Sequence, residues 1–206
     1  GCEASLKEVE GRNTHQFLHA NICDRVAMDA AIAAFKPDRI MHLAAESHVD
    51  RSIDGPGEFV KTNLVGTSSL LQAVLRYWRK LDSSSQERFR FHHISTDEVF
   101  GALGPEGYFT ETTPYDPRSP YSATKAGLIG LARAMSTDYA RHGIRVNTVS
   151  PGTIDSPMLH NFLQEQSNPE YFRHAFDDMH PIGRVGTIDE VASVFVFLAS
   201  DEASFV

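Results

Sequence analysis

Tyr121 and Lys125 are the residues whose types and spacing point most directly to chemistry. They stand four positions apart at the start of a predicted helix, so both side chains should lie on one face. An ammonium held beside a phenol favours the phenolate and lowers the phenol pKa from its ordinary value of about 10. Such a tyrosine could exchange a proton with a substrate hydroxyl, as alcohol–ketone interconversion requires. The spacing alone is weak evidence, because a solvated pair looks the same.

A second polar cluster follows a predicted strand. Residues 89–95 alternate apolar and polar side chains as a strand does, and the strand ends in Ser95-Thr96-Asp97-Glu98. Folds of the α/β class bind their ligands at the carboxyl ends of parallel strands. This context favours a functional site over a solvated acidic turn.

Composition restricts the class of protein. The chain has 206 residues, 41% of them hydrophobic, and a net charge of −8, which fits one domain and argues against a nucleic-acid surface. No apolar run reaches the length of about 18 residues that a membrane span needs. Cys2 and Cys23 form neither a disulfide framework nor a zinc motif, so we expect a cytoplasmic protein. For His92 and His93 we expect one buried and one exposed side chain rather than a metal site.

Strand and helix patterns alternate along the chain, which predicts a mostly parallel sheet covered by helices on both faces. We expect a cap at Gly143 and a capping box formed by Thr187 and Glu190. Residues 82–86 resemble a surface linker. The predicted strands are 16–19, 39–45, 89–95 and 144–149, and the predicted helices are 27–35, 58–81 (with Val60, Leu64, Leu71, Val74, Leu75 and Trp78 on its apolar side), 121–142 and 188–199.

With these segments placed, the chain resembles the short-chain dehydrogenase/reductase superfamily. From residue 1 to about 126 it is similar to the dTDP-glucose 4,6-dehydratases. The runs that carry this similarity are 20–24 (Ala-Asn-Ile-Cys-Asp), 42–53 (His-Leu-Ala-Ala-Glu-Ser-His-Val-Asp-Arg-Ser-Ile), Thr62-Asn63, and 92–101 (His-His-Ile-Ser-Thr-Asp-Glu-Val-Phe-Gly).

From about residue 126 to 206 the chain instead resembles the single-domain oxidoreductases of the same superfamily. The similarity rests on residues 143–158, 181–186 and 190–192. We therefore interpret the chain as one Rossmann-type domain, 1–206, in which the resemblance changes near 121–127, as in a hybrid.

The resemblance also implies that the doubly wound sheet is incomplete. The glycine-rich turn with which the superfamily opens, and which binds the pyrophosphate at a helix start, is not in this sequence. The first βαβ unit and the last strand are thus expected to be missing. The residue that decides between NAD and NADP would precede Gly1, so NAD is expected with NADP not excluded.

In the dehydratase half, the resemblance implies roles for five catalytic residues. Tyr121 would take the proton of the sugar 4-hydroxyl, and Lys125 would lower the tyrosine pKa and hold the nicotinamide ribose. Thr96 would donate to the same sugar oxygen. Glu98 would remove the proton at carbon 5, and Asp97 would protonate the departing 6-hydroxyl. Adjacent carboxyls suit this division if their pKa values differ.

The resemblance further implies a set of cofactor contacts. Asn21 stands where aspartate is usual, and its amide oxygen could still accept from the adenine amine. Ser156 stands where threonine is usual and keeps the hydroxyl. The expected cofactor-binding residues are Asn21, Ile22, Leu43, Ala44, Ala45, Ser47, Thr62, Asn63, Tyr121, Lys125, Pro151, Gly152, Thr153, Ile154 and Ser156.

Three functions stay open at this point. The leading hypothesis is a dTDP-glucose 4,6-dehydratase-like enzyme that uses tightly held NAD. The alternatives are an NAD(P)-dependent alcohol oxidoreductase acting on a small alcohol, and a non-catalytic fragment or hybrid artefact. A homodimer through helices 58–81 and 121–142 is a further expectation.

Overall fold

The computed structural model describes residues 9, 11–101, 109–110, 112–142 and 145–206. Its central feature is a parallel sheet in the order β1-β2-β3, formed by Arg39–His42, Arg90–Ile94 and Arg145–Val149. A second sheet pairs β4 (Ile154–Asp155) with β5 (Gly186–Thr187), also in parallel. The α/β class and the incomplete parallel sheet are as predicted.

Helices connect the strands. They are α1 (Arg25–Phe35), α2 (Val49–Asp54), α3 (Pro56–Phe59), α4 (Thr67–Trp78), α5 (Ser83–Arg88), α6 (Pro120–Tyr139), α7 (Pro157–Gln164), α8 (Pro169–Asp178) and α9 (Ile188–Ala199), with a π-helical segment at Val60–Gly66 and 3₁₀ turns at Asp97–Phe100, Ala140–His142 and Asp201–Ala203.

Alternate residues of β2 face opposite layers. Phe91 belongs to the main apolar core, where α1, α4 and α6 pack together with Val146 of β3. The other face of β2 is covered by α9, whose Phe195 and Leu198 are buried. The sheet is therefore covered by helices on both faces. None of the helices among the described residues is long and apolar enough to cross a membrane.

Two strand predictions were wrong in extent. Residues 16–19 form no strand; Gln16 and Leu18 instead line a cavity of about 840 Å³ together with Ile40 of β1. A strand is stabilised by hydrogen bonds to a neighbouring strand, and the cavity separates residues 16–19 from β1. This segment therefore stays irregular. The strand expected over 39–45 ends at His42, and alternate residues along it are exposed rather than buried.

The long helix predicted over 58–81 is divided into α3, the π-helical segment and α4. Its predicted apolar side is correct for Val74 and Trp78, which are buried, but wrong for Val60, which is exposed. The wider π turn rotates the residues on either side of it relative to each other, so one 3.6-residue periodicity does not describe the whole segment.

Other predictions on local structure divide in the same way. The capping box of Thr187 and Glu190 is confirmed. The linker predicted at 82–86 is wrong, because Asp82 caps the short helix α5. Helices α7 and α8 were not predicted. The expected Gly143 cap and Ile144 lie outside the described residues.

Three arginines stand side by side at the amino ends of the strands. Arg39, Arg90 and Arg145 are register partners across β1, β2 and β3. Each reaches the end of α9 or the residues after it: Arg39 Nε donates to the Ala199 carbonyl at 2.7 Å, Arg90 pairs with Asp201 at 3.6 Å, and Arg145 donates to the carbonyl of Ala203 and to that of Leu198 at 2.8 Å. These contacts fix residues 198–206 against the amino ends of the three strands.

Candidate active site

The polar cluster predicted after β2 lies at the carboxyl end of that strand. Ser95 N still donates to the Val149 carbonyl at 2.8 Å, and the chain then enters the 3₁₀ turn. Thr96 caps this turn, accepting from Glu98 N at 3.4 Å and donating to Asp97 Oδ1 at 3.3 Å. Residues 95–98 are thereby held at the sheet edge, where α/β folds bind ligands.

Helix α6 brings Tyr121 and Lys125 to the same edge. Ser119 and Ser122 form a reciprocal capping box, and Pro120 occupies the first turn, so the helix begins immediately before the tyrosine. Tyr121 packs edge-on against Phe59, with ring centroids 6.4 Å apart. Lys125 Nζ donates to the Ile94 carbonyl at 3.1 Å, which ties α6 to the end of β2.

The pKa of Tyr121 differs from expectation. Burial of the phenol, which is only 7% exposed, raises its pKa, and the charges of Glu98 and Asp97 raise it further, while the Thr96 side chain lowers it. The lowering of this pKa by Lys125 stays a prediction: burial and then the carboxylates raise the pKa here, and the ammonium donates to the Ile94 carbonyl.

Lys125 itself is 4% exposed, and desolvation lowers its pKa to about 8. The lysine is still mostly charged at neutral pH. Burial, together with the charge of Lys125, lowers the pKa of His42 to about 4 and the pKa of His93 to about 3. These two rings are 5.1 Å apart, so two neutral imidazoles lie close to the ammonium of Lys125.

His92 and His93 are both buried, so the expectation that one would be exposed was wrong. Neighbouring residues of a strand point to opposite faces, but here helices cover both faces. No group of three or more His, Cys, Asp or Glu placed to hold a metal ion occurs in the part of the chain that the structure describes.

The two carboxyls after Thr96 both have raised pKa values. Burial is the main cause for Asp97, where hydrogen bonds, among them one from the Thr96 side chain, act in the opposite direction. For Glu98, burial and the charge of Asp97 raise the pKa together. A carboxyl with a raised pKa can deliver or accept a proton nearer to neutral pH.

Asn63 was predicted to contact a cofactor, and its position does not support this. The residue is 0% exposed; its Oδ1 accepts from Glu46 N at 2.9 Å, and its Nδ2 donates to the Glu46 carbonyl at 3.1 Å and to Thr124 Oγ1 at 3.0 Å. Because these bonds use its amide hydrogens, Asn63 fixes the loop after β1 to α6. Neighbouring Thr62 is half-buried in the π-helical segment.

The loop after β1 presents small and apolar residues at the sheet edge. Leu43, Ala44 and Ser47 are exposed, and Ala45 is half-buried. Leu43 and Ala44, which were expected to belong to the strand 39–45, therefore lie beyond its end and are exposed. Exposed apolar atoms beside polar groups suit a ligand with a flat ring.

Asn21 and Ile22 precede α1. Asn21 Oδ1, the atom expected to accept from an adenine amine, accepts from Cys23 N at 2.9 Å. The side chain of Ile22 packs so closely on Gly66 that a Cβ there would meet Ile22 Cδ1 at 2.8 Å. Both residues thus have structural contacts in addition to any ligand contact.

The loop expected to face a nicotinamide runs from Pro151 through Gly152 and Thr153 to Ile154. It is fixed by β4, where Ile154 pairs with Gly186, and Ser156 Oγ caps α7 by accepting from Leu159 N at 3.4 Å. The Ser156 hydroxyl is therefore already used by α7.

His180, which the sequence analysis did not single out, contacts this loop. Its Nε2 accepts from Thr153 N at 3.1 Å, and its Nδ1 lies 2.7 Å from the Phe176 carbonyl oxygen. A single histidine between two helices carries no spacing signal, so only the tertiary structure identifies it.

Comparison with known proteins agrees with this geometry. The profile of the family described as GDP-mannose 4,6 dehydratase matches residues 3–164. The chain belongs to this family. The match continues beyond 121–127, where the change of resemblance was predicted.

Two curated relatives carry the name of dTDP-glucose 4,6-dehydratase. The enzyme of Neisseria gonorrhoeae is 52% identical over 136 residues, covering 66% of this chain and 39% of that protein. An Escherichia coli K12 enzyme, dTDP-glucose 4,6-dehydratase 1, is 50% identical over 156 residues, covering 71% of this chain and 43% of that protein. The chain thus spans about two fifths of the length of these relatives.

Solved structures show the same fold. DesIV, a dTDP-glucose 4,6-dehydratase from Streptomyces venezuelae with NAD and TYD bound, superposes with a TM-score of 0.66 at 28% identity, covering 99% of this chain and 70% of that one. A short-chain dehydrogenase/reductase family oxidoreductase from Burkholderia thailandensis has a TM-score of 0.73 at 24% identity, covering 98% and 73%. The second likeness concerns the fold alone.

Proposed function

We propose that the protein acts as a nucleotide-sugar 4,6-dehydratase on dTDP-glucose, with NAD as cofactor. The observation that carries the proposal is the convergence of Thr96, Asp97, Glu98, Tyr121 and Lys125 at the carboxyl end of β2 in a chain of this family. Oxidoreductase chemistry alone needs the tyrosine and lysine, whereas two adjacent carboxyls with raised pKa values beside them suit removal of water.

The donor groups at the site fit a dinucleotide. Lys125 Nζ donates to the Ile94 carbonyl, and its two other hydrogens have no partner among the described residues. These hydrogens suit the hydroxyls of a ribose. Ser95 Oγ is buried without a partner within the described ranges. The exposed Leu43 and Ala44 would lie along the dinucleotide. When bound, NAD would supply the chemistry of accepting and returning a hydride.

The protein groups would move protons at three sugar atoms. Tyr121 would take the 4-hydroxyl proton while Thr96 donates to the same oxygen. Glu98 would then remove the proton at carbon 5, and Asp97 would protonate the departing 6-hydroxyl. The raised pKa of Asp97 supports its role as the acid, since a larger fraction of that carboxyl is protonated than is usual.

The raised pKa of Tyr121 sets a requirement on this proposal. A phenol with a raised pKa is protonated at neutral pH, so its activation must come from positive charge brought near the oxygen. Among the described residues of α6, Lys125 is the cation nearest to Tyr121 in the sequence. Asp97 must be protonated, because its negative charge would disfavour the phenolate. Neutral Asp97 thus serves both the acid step and the tyrosine.

A second candidate is an NAD(P)-dependent alcohol oxidoreductase. The loop from Pro151 to Ile154 favours it, because residues 143–158 carry part of the single-domain resemblance. Such an enzyme would use Tyr121 and Lys125 but would not depend on Asp97 or Glu98.

The test is turnover of dTDP-glucose followed by mass spectrometry of the sugar nucleotide. The protein with NAD should form a product lighter by one water, and Tyr121→Phe should form none. Oxidation of simple alcohols without any loss of water from dTDP-glucose would favour the second candidate.

We also propose that two copies associate through helices 58–81 and 121–142. Val60 and Val65 of the π-helical segment are exposed and supply apolar surface for such a contact. Sedimentation equilibrium should give twice the chain mass, and Val65→Glu should shift it toward one chain mass.

A further inference from the structure

His180 lies between α8 and one loop of the proposed site. Its ring contacts the end of α8 and the loop at Pro151–Ile154. The residue therefore connects α8 to this loop. Neither its neighbours along the chain nor its residue type explains this position.

Both ring nitrogens are used, and in opposite ways. Nε2 accepts a hydrogen bond from Thr153 N at 3.1 Å, so it carries no proton. Nδ1, 2.7 Å from the Phe176 carbonyl oxygen, must then donate. The ring is thus neutral with its proton on Nδ1, because only that tautomer satisfies both contacts.

Gly152 provides the space that this ring fills. A Cβ at Gly152 would lie 2.7 Å from His180 Nε2 and 3.3 Å from Cδ2. These are the only two ring atoms it would approach within 3.4 Å, and the backbone of Gly152 is not in the left-handed region within the described residues. A larger residue at 152 would therefore have to displace the His180 ring from this position.

We infer that His180 is a positioning residue that fixes the backbone of Gly152 and Thr153 for contact with the nicotinamide ring of the cofactor. This rests on the proposed function. With the ring in place, the Thr153 N–H donates to His180 Nε2 and is not available to a ligand, while the Thr153 carbonyl accepts from Gly186 N at 3.0 Å. The part of the loop left to meet a cofactor is the exposed Gly152 and its neighbour Pro151.

The experiment compares His180→Ala, Gly152→Ala and the double variant. Each protein is titrated with NAD while amide signals are followed by NMR, and exchange of the Thr153 amide hydrogen is measured without ligand. His174→Ala is the matched control, since His174 is an exposed histidine of α8, six positions before His180. Urea unfolding of every variant separates loop effects from global stability.

We expect His180→Ala to raise exchange at Thr153 by about tenfold, as loss of one hydrogen bond implies, and to weaken NAD binding several-fold. Gly152→Ala should weaken NAD binding similarly in the wild type, but should have little further effect after His180→Ala, because the clash is then gone. His180→Gln, which keeps an acceptor for Thr153 N, should recover part of both losses.

Three results would overturn the inference: unchanged Thr153 exchange in His180→Ala, additive effects of the two substitutions, or unchanged NAD affinity in His180→Ala despite binding by the wild type. Binding losses that only follow the unfolding free energy across all variants would also overturn it, since a purely structural residue behaves in that way. Failure of the wild type to bind NAD would contradict the proposed function instead.

Discussion

The side-chain amide of Asn63 donates to Thr124 Oγ1 at 3.0 Å and so joins the π-helical segment to α6 one residue before Lys125. The same amide exchanges two hydrogen bonds with the backbone of Glu46 in the loop after β1. One fully buried side chain thus fixes two of the segments that border the site.

Asn63→Ala should lower the free energy of unfolding by about 2–4 kcal/mol, because it leaves buried backbone groups of Glu46 without partners. Urea denaturation measures this. Thr62→Ala, at the neighbouring half-buried position, should cost much less. Equal losses in the two variants would show that the hydrogen bonds of Asn63 contribute little.

The buried ammonium of Lys125 should make stability depend on alkaline pH. Its pKa falls from 10.5 to about 8 on folding, so between these values the unfolded chain binds more protons than the folded one. Stability should therefore rise with pH across this range, by about 3 kcal/mol from this group. Urea unfolding of Lys125→Met should lack this contribution, while Lys80→Met, at an exposed position, should retain it.

His93 should contribute to loss of stability in acid. Burial lowers its pKa from 6.5 to about 3, so the unfolded chain gains a proton that the folded protein does not, and stability falls as the pH drops below about 6.5. Replacement by leucine should reduce the loss between pH 6.5 and 4 by about 3 kcal/mol. Unfolding free energies at several pH values test this, with the exposed His19→Leu as control; parallel curves for wild type and His93→Leu would contradict it.

Glu98→Gln should separate the two halves of the proposed reaction. Glu98 would act only after the 4-hydroxyl has been oxidised, so the variant should form NADH from dTDP-glucose without losing water. Tyr121→Phe should do neither. Rapid-mixing absorbance of NADH distinguishes them, and loss of water at the wild-type rate by Glu98→Gln would assign the carbon-5 proton to another base.

Local signals in the sequence predicted local structure well. The capping box at Thr187 and Glu190 and the beginning of α6 depend on neighbouring residues and were correctly located. The position of Thr96 at a sheet edge followed from the rule that α/β folds bind ligands at strand ends, and its closeness to Tyr121 was implied by the resemblance.

Features that depend on distant contacts could not be predicted. The exposure of Val60 follows from the π-helical segment, and the burial of Asn63 depends on Glu46 and Thr124. The raised pKa of Tyr121 reflects desolvation, which spacing to Lys125 does not reveal. His180 shows its contacts only once α8 is folded against the loop.

The contacts of Arg39, Arg90 and Arg145 affect the order in which the chain folds during synthesis. Arg39 binds the carbonyl of Ala199, 160 positions later in the chain, and Arg145 binds carbonyls at Leu198 and Ala203. Contacts of such long sequence separation form slowly. Each strand therefore leaves the ribosome before the groups of residues 198–203 that its arginine contacts, and all three arginines gain these contacts together, when residues 198–203 emerge.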